Sequence, residues 1–225
     1  MTMQEKLRMI LTSDGSHTLY NAALNESYHS RHGAIQESEH IFIQNGLDSI
    51  KTEPVNLLEI GFGTGLNAFL TCLYSIKNNR NIHYEALELF PLDMRFIRKL
   101  NYTSKLDSSK KNIFLKLHDS DWNKETMILP TFKILKLYQD FITFLPEKKY
   151  HLVYFDAFSP EKQPNMWQAA SLNKLHDALE PNGVMVTYCA KGDIRRRLEK
   201  IGFQVERLPG PPGKLEMLRA LKIPG

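Results

Sequence analysis

The sequence predicts an α/β fold: a mostly parallel seven-stranded sheet with helices on both faces, preceded by a small N-terminal β extension. Three observations carry this. From Val55 onward short apolar runs alternate with amphipathic stretches, the pattern of strands buried on both faces and joined by crossover helices. The first such run, Val55–Ile60, feeds a glycine-rich turn that opens a helical stretch. The chain has 225 residues, 42% of them hydrophobic, enough for one sizeable core.

Each element has its own signal. In the N-terminal part Leu7, Met9 and Leu11 alternate ahead of an Asp14-Gly15 turn, and His17 and Leu19 continue beyond it, which reads as a hairpin. Ile35, Ile41, Phe42 and Leu47 approximate a helical stripe stopped by Asn45-Gly46. Residues 1–50 are therefore an extension packed on a main domain of residues 51–225. The candidate strands of that domain are Val55–Ile60, Ile82–Leu89, Ile113–His118, His151–Phe155, Gly183–Tyr188, Phe203–Leu208 and Met217–Leu221. Helices fall at Leu66–Lys77, Leu92–Tyr102, Met166–Leu179 and Ile194–Ile201, bounded by Gly, Pro, Asn or Asp. Residues 120–150 break the spacing and read as an insertion with helix around Phe132–Phe144.

Composition narrows the class. No run of about 18 apolar residues occurs, and Met1 to Met9 include Glu5, Lys6 and Arg8 rather than a secretory pattern. Cys72 and Cys189 lie far apart among apolar neighbours, as buried reduced thiols do, and a cytoplasmic protein without membrane or metal is expected. His29-x-x-His32 is the only close histidine pair and lacks two further ligands. The net charge of +4 is uneven: residues 191–225 hold nine Lys/Arg against four Asp/Glu, +5, leaving −1 for the rest. A polyanion such as nucleic acid suits that asymmetry, and a solvated basic face accounts for it equally well.

The stretch Leu57-Leu58-Glu59-Ile60-Gly61-Phe62-Gly63-Thr64-Gly65-Leu66-Asn67 is the most informative. Glycines at alternate positions let the backbone turn sharply against a ligand, and the helix behind them offers N–H donors. A dinucleotide turn needs its third glycine one step later, where Leu66 stands. Glu59 would repel a pyrophosphate and suits the ammonium of an amino-acid-like tail. S-adenosylmethionine has that tail and no phosphate. Glu88, at the end of the second strand, would accept both ribose hydroxyls, and Asp119, closing the third, the adenine amine. Past the fourth strand, Asp156 and Phe158 would stand beside the sulfonium, the carboxylate to orient an ammonium and take its proton, the ring to pack on a planar acceptor. Tyr28 and Trp167 lie in polar, loop-like stretches, and one of them is expected to stack on an RNA base.

Together Phe62-Gly63-Thr64-Gly65-Leu66-Asn67, Glu88 with Pro91-Leu92, Asp156-x-Phe-x-Pro-x-Lys-x-Pro-x-Met-Trp167, and Gly210 through Lys214-x-Glu-Met217 resemble the methyltransferase part of the MnmC family, in its stand-alone, MnmD-like form. The likeness extends over Asn25 to Ser30 and Gly33-Ala34 to Glu37-Ser38. It implies a Rossmann-like class I S-adenosylmethionine-dependent methyltransferase acting on the anticodon loop of tRNA. The implied reaction is methylation of 5-aminomethyl-2-thiouridine at the wobble position to 5-methylaminomethyl-2-thiouridine, on an aminomethyl group supplied by an upstream enzyme. By that resemblance Asp156 is the acceptor-side acid, and Glu59, Gly61, Phe62, Gly63, Thr64, Gly65, Asn67, Glu88, Asp119 and Asp156 hold the cofactor. Tyr28, Phe158, Lys162, Trp167, Arg195, Arg196 and Lys214 would face the RNA. Bifunctional members carry an FAD-dependent oxidase for which the chain leaves no room, so that step is expected to be missing. Leu215 stands where a basic residue is expected. A small-molecule amine or hydroxyl methyltransferase, needing no basic tail, and a non-catalytic RNA-binding module are the other readings; salt-sensitive tRNA binding separates the first, cofactor binding the second.

Overall fold

The computed structural model describes residues 6–224. Three short strands, β1 (Leu7–Leu11), β2 (His17–Asn21) and β3 (Glu26–Ser27), form a small antiparallel sheet ahead of the main one. Its turn is fixed by Asp14, which accepts hydrogen bonds from the Ser16 amide (2.8 Å) and the Thr12 hydroxyl (2.7 Å). A short helix α1 (Ala34–Ser38) runs on into a π-helical turn, Glu39–Gln44, whose Ile41 and Phe42 are buried in the main core.

The main sheet is built from β4 (Val55–Ile60), β5 (Ile82–Glu88), β6 (Glu125–Leu129), β7 (Phe132–Tyr138), β8 (Tyr150–Phe155), β9 (Leu179–Thr187), β10 (Phe203–Pro209) and β11 (Glu216–Lys222). They lie in the order β10-β11-β9-β8-β4-β5-β7-β6. The five central strands are parallel, and antiparallel strands close both edges. The central strands bear apolar side chains on both faces, so two separate cores form, one on each side. On one side pack α2 (Leu66–Asn78) and α5 (Lys111–Asp119), with α3 (Met94–Ile97) and α4 (Tyr102–Leu106) near them; on the other lie α6 (Ala169–Ala178) and α7 (Gly192–Ile201). From β4 the chain winds outward to β5 and β7, then returns across β4 to β8 and β9. That reversal opens a crevice at the carboxyl ends of β4 and β8, where open α/β sheets bind ligands.

Three expectations fail here, the first two for related reasons. Residues 113–118 are helix, within α5, not strand. Ile113, Leu115 and Leu117 alternate as a strand would, but only Phe114 and Leu117 are buried, and Phe114 packs on Phe69 and Tyr102. A start signal was present in Asp107, whose carboxylate accepts the Ser109 amide at 2.9 Å just ahead of the helix. The third parallel position is instead taken by Phe132–Tyr138, where helix was expected, paired with the unforeseen β6, so the sheet has eight strands and not seven. Lys136 disguised it. This lysine occupies an inward position of β7 and is 1% exposed, because its Nζ donates to the His118 carbonyl at 2.6 Å and lies over the Trp122 ring at 4.7 Å. Burial lowers its pKa to about 8. Of the expected helix at Leu92–Tyr102 only α3 forms within the range, and α4 begins at its last residue.

Candidate functional site

At the carboxyl ends of β4, β5, β7 and β8 lies a cavity of about 400 Å3. Three chain segments make its floor. The turn after β4 holds Gly61, Gly63 and Gly65 at φ of +94°, +50° and +70°, conformations that side chains resist. A Cβ on Gly61 would lie 3.0 Å from the Asp156 carbonyl, and one on Gly65 would come within 2.5 Å of the His118 ring. Gly61 and Gly63 line the cavity with Phe62, Thr64 and Asn67. Gly65 does not; it starts α2 and lets the loop pack on α5.

Glu88, the last residue of β5, is the second segment. Its two oxygens accept from the Gly63 amide (2.9 Å) and the Phe90 amide (2.8 Å), so the carboxylate is fixed to the glycine turn with lone pairs left over. Burial raises its pKa, and the backbone donors oppose the rise. Beyond β7, Gln139, Asp140 and Phe141 form the third segment. They stand where the sequence placed Asp119, which instead is exposed at the end of α5 and lines no part of the cavity.

Asp156, the first residue beyond β8, lies at the junction with the N-terminal part. The Asn67 amide bridges two carboxyls, donating to Asp156 Oδ2 at 2.8 Å and Glu59 Oε1 at 3.0 Å. Burial, together with the negative charge of Glu37, raises Asp156 to about 7, against the Asn67 hydrogen bond and the positive charge of Lys214. Glu59 itself is wholly buried and does not reach the cavity wall. Its side chain projects from β4 under the turn, where desolvation holds its pKa well above the usual carboxylate range, and one of its oxygens accepts from Asn67.

The N-terminal segment forms the roof, a role only partly visible in the sequence. Glu26 accepts from the Ser159 amide (3.0 Å) and hydroxyl (2.7 Å), tying β3 to the loop after β8. His29 donates to or accepts from Thr64 Oγ1 at 2.8 Å, and burial depresses it to about 4, so it is neutral. Tyr28 lines the cavity above Gly63 and meets Phe158 edge-on at 5.1 Å. Both rings are part of the cavity wall.

Trp167 is not. It is 1% exposed, its indole donates to the Phe158 carbonyl at 2.8 Å, and it packs on Phe155 at 4.6 Å; a residue so enclosed cannot stack on a base. Lys162 is half-buried in the turn after Ser159 and outside the cavity wall. On α7 Arg195 is paired with Glu199 at 2.6 Å, while Arg196 is exposed; neither lines the cavity. Lys214, from the loop between β10 and β11, does line it. Glu26, Glu37, Asp140 and Tyr188 also line the cavity. Glu26 and Glu37 fall in the N-terminal stretches that carried the family likeness, but nothing in their spacing showed them converging on Asp156.

An amino-acid-tailed nucleoside fits this cavity. Glu88 offers anchored acceptors for vicinal hydroxyls, the glycine turn lets backbone approach closely, and the first N–H groups of the 13-residue α2 suit a carboxylate. Among the described residues no group of His, Cys, Asp and Glu could hold a metal, and no helix is long and apolar enough to cross a membrane.

Comparison with known proteins agrees. The chain is similar to the tRNA 5-methylaminomethyl-2-thiouridine biosynthesis bifunctional protein MnmC of Hydrogenovibrio crunogenus, 27% identical over 95% of this chain and 33% of that protein. It is 30% identical to the MnmC of Campylobacter hominis over 90% of this chain and 31% of that one. The chain thus spans about a third of the length of these relatives. Its fold matches the crystal structure of MNMC2 from Aquifex aeolicus with a TM-score of 0.80 at 24% identity, covering 97% of this chain and 71% of the other. The spermidine synthase of Thermotoga maritima gives 0.52 at 14% identity, over 99% and 74%. The family profile described as S-adenosyl-L-methionine-dependent methyltransferase matches residues 92–223, from the exit of β5 to the end of β11, and on that span this chain belongs to the S-adenosyl-L-methionine-dependent methyltransferase family.

Proposed function

We propose that the protein methylates the primary amine of the 5-aminomethyl group on (2-thio)uridine at the tRNA wobble position, giving 5-methylaminomethyl-2-thiouridine. The observation that supports this most is the buried carboxyl of Asp156 at the acceptor end of the cavity, in a chain matched nearly end to end by proteins named for that nucleoside's biosynthesis. The partner is the anticodon loop of tRNA, in the cytoplasm, and an upstream enzyme supplies the aminomethyl group.

S-adenosylmethionine, when bound, supplies a methyl group made electrophilic by its sulfonium. Glu88 holds the ribose hydroxyls, and the glycine turn with the first N–H groups of α2 fixes the tail. Phe158 and Tyr28 flank the entrance with two faces for the uracil ring. An alkylamine with a pKa of about 10.4 arrives mostly as ammonium, which has no lone pair to attack with. Asp156 Oδ1, the oxygen not engaged by Asn67, accepts one ammonium proton, and the freed lone pair is then in line for the methyl. Holding two partners in that line is worth about 7–11 kcal/mol, whereas a general base contributes about 10²–10⁴ in rate, roughly 3–5 kcal/mol. Orientation is the larger effect, which explains why the Asp156 carboxylate is itself held by Asn67.

Glu59, Lys162, Trp167, Arg195 and Arg196 keep structural or peripheral places in this reading. Arg196, exposed on the basic face of α7, is available for backbone phosphates. The test is transfer of labelled methyl from donor to tRNA bearing 5-aminomethyluridine, followed by mass analysis of the wobble nucleoside. Label recovered in the 5-methylaminomethyl nucleoside supports the reading; tRNA left unlabelled refutes it.

A further inference from the structure

Asp156 alone does not account for the polar groups at the acceptor end. Glu37, from α1, is 6% exposed and lines the cavity. One of its oxygens accepts from the Ser30 amide at 2.7 Å and the other from Lys214 Nζ at 2.6 Å. The same Nζ stands 4.0 Å from the centroid of the Tyr188 ring, whose hydroxyl donates to the Ala157 carbonyl at 2.9 Å and so fixes the ring beside Asp156. Asn67 adds a second kind of signal. It lines the cavity, is 2% exposed, and its Oδ1 is a buried acceptor with no partner among the described residues.

A carboxylate on one side and an aromatic face on the other is the arrangement that binds an alkylammonium. Lys214 is itself a primary amine on an alkyl chain. We propose that Glu37 and the face of Tyr188 form a subsite for the acceptor's primary alkylammonium, which the protein's own Lys214 fills in the absence of substrate. This rests on the amine-methylation reading above. Two carboxylates, Glu37 and Asp156, both feel the cation of Lys214. An incoming ammonium that displaces Lys214 takes over its contact with Glu37 and reaches the unpartnered Asn67 oxygen and Asp156 with its remaining protons. Glu37 binds; Asp156 takes the proton.

Lys214 is delivered by the Gly210–Leu215 loop between β10 and β11, which carries Gly213 at φ +86° and an almost fully exposed Leu215. Pro211 is the buried anchor of that loop, while Pro212, Gly213 and Leu215 around Lys214 are exposed, so Lys214 can leave while Pro211 stays in place. The bland alternative is an ion pair that only ties α1 to the β10–β11 loop.

The experiment compares two tRNAs that differ only in carrying 5-aminomethyluridine or unmodified uridine at the wobble position. Equilibrium binding is measured with wild type, Glu37→Gln and Lys214→Met in the presence of S-adenosylhomocysteine, whose own affinity by calorimetry reports an intact cofactor site. Hydrogen bonds to charged groups contribute about 1.5–3 kcal/mol, so wild type should prefer the aminomethyl tRNA about tenfold or more. Glu37→Gln should reduce that preference to within about twofold, and Lys214→Met, which removes the internal competitor, should increase it.

The acid limb of kcat/KM gives a further readout. The titratable groups around Glu37 are Asp156, Lys214, Tyr188 and the neutral His29. Its negative charge holds Asp156 up, so Glu37→Gln should move the limb to lower pH. A preference that survives Glu37→Gln overturns the subsite, as does one that Lys214→Met leaves unchanged or lowers; the second variant decides if the first does not fold. Should wild type transfer no methyl to the aminomethyl tRNA, the amine-methylation reading fails as well; methyl transfer with an unchanged preference removes the subsite alone.

Discussion

Asp156→Asn keeps the size of the side chain and the oxygen that accepts from Asn67, and removes only the ability to take a proton. Without that acceptor the reaction must draw on amine that is already neutral. For an alkylamine of pKa about 10.4 this is roughly one molecule in 250 at pH 8, so turnover should fall at least about 10²-fold, within the range of about 10²–10⁴ for loss of a general base. The pH dependence is the sharper measure. In wild type the active form is the carboxylate, so the rate should rise with unit slope below the Asp156 pKa and level off above it. Burial places that pKa at about 7 without donor, and a neighbouring sulfonium charge moves it lower. In Asp156→Asn the rate should keep climbing toward pH 10, and the deficit should shrink as it does. Single-turnover methylation of aminomethyl tRNA at saturating donor, from pH 5 to 10, reads both profiles. Near-wild-type turnover at pH 8 would remove Asp156 from the mechanism; a deficit constant up to pH 10 would leave it a positioning role and refute proton acceptance. Stability should move the opposite way. The folded carboxyl, raised from 3.8 to about 7, binds a proton more tightly than the unfolded one, so stability falls as pH rises between about 4 and 7. Asp156→Asn should therefore melt higher than wild type at pH 8, with the two converging near pH 4.

Glu88→Ala should weaken S-adenosylmethionine binding by roughly 10–150-fold, the equivalent of one charged hydrogen bond; unchanged affinity in calorimetry would cancel the ribose assignment. Asp119→Ala should leave that affinity within about twofold, whereas Asp140→Ala, at the true end of the third parallel strand, should lower it, and the reverse outcome would mean that α5 contributes to the site after all. Trp167→Ala should cost about 3–5 kcal/mol of stability as a buried aromatic, while Tyr28→Ala should leave the melting temperature nearly unchanged and raise KM for tRNA; equal stability losses would contradict their placement. Neutralising Arg196 should reduce the slope of log Kd against log salt for tRNA by about 1, and a slope that does not change would make the α7 surface a solvated face only.

Much of the site was readable because it is local. The glycine turn, Glu88 and Asp156 each sit at the end of an apolar run, and in a doubly wound sheet the ends of successive parallel strands meet in space without further information. The same rule misplaced Asp119, because 113–118 carries an alternation that either a strand or a half-buried helix satisfies, and packing of Phe114 on Phe69 and Tyr102 decided for helix. β7 was missed through Lys136, a charge on an inward position that only the His118 carbonyl and the Trp122 ring make tolerable. Glu59 and Trp167 show the limit from the other side: polar or loop-like neighbours mark a residue as available, but whether its side chain points into the cavity or behind it depends on the neighbouring strand and turn.

By itself, then, the sequence determined the α/β class and put the glycine turn, Glu88 and Asp156 at the ends of strands, since periodicity and turn residues act over a few positions. Tertiary structure alone decided that the N-terminal segment roofs the cavity, that Glu37 and Lys214 meet 177 positions apart, and that Asp156 shares a buried corner with a second carboxylate. Burial and charge coupling are set by what lies within a few ångströms in space, and that distance is written in the fold.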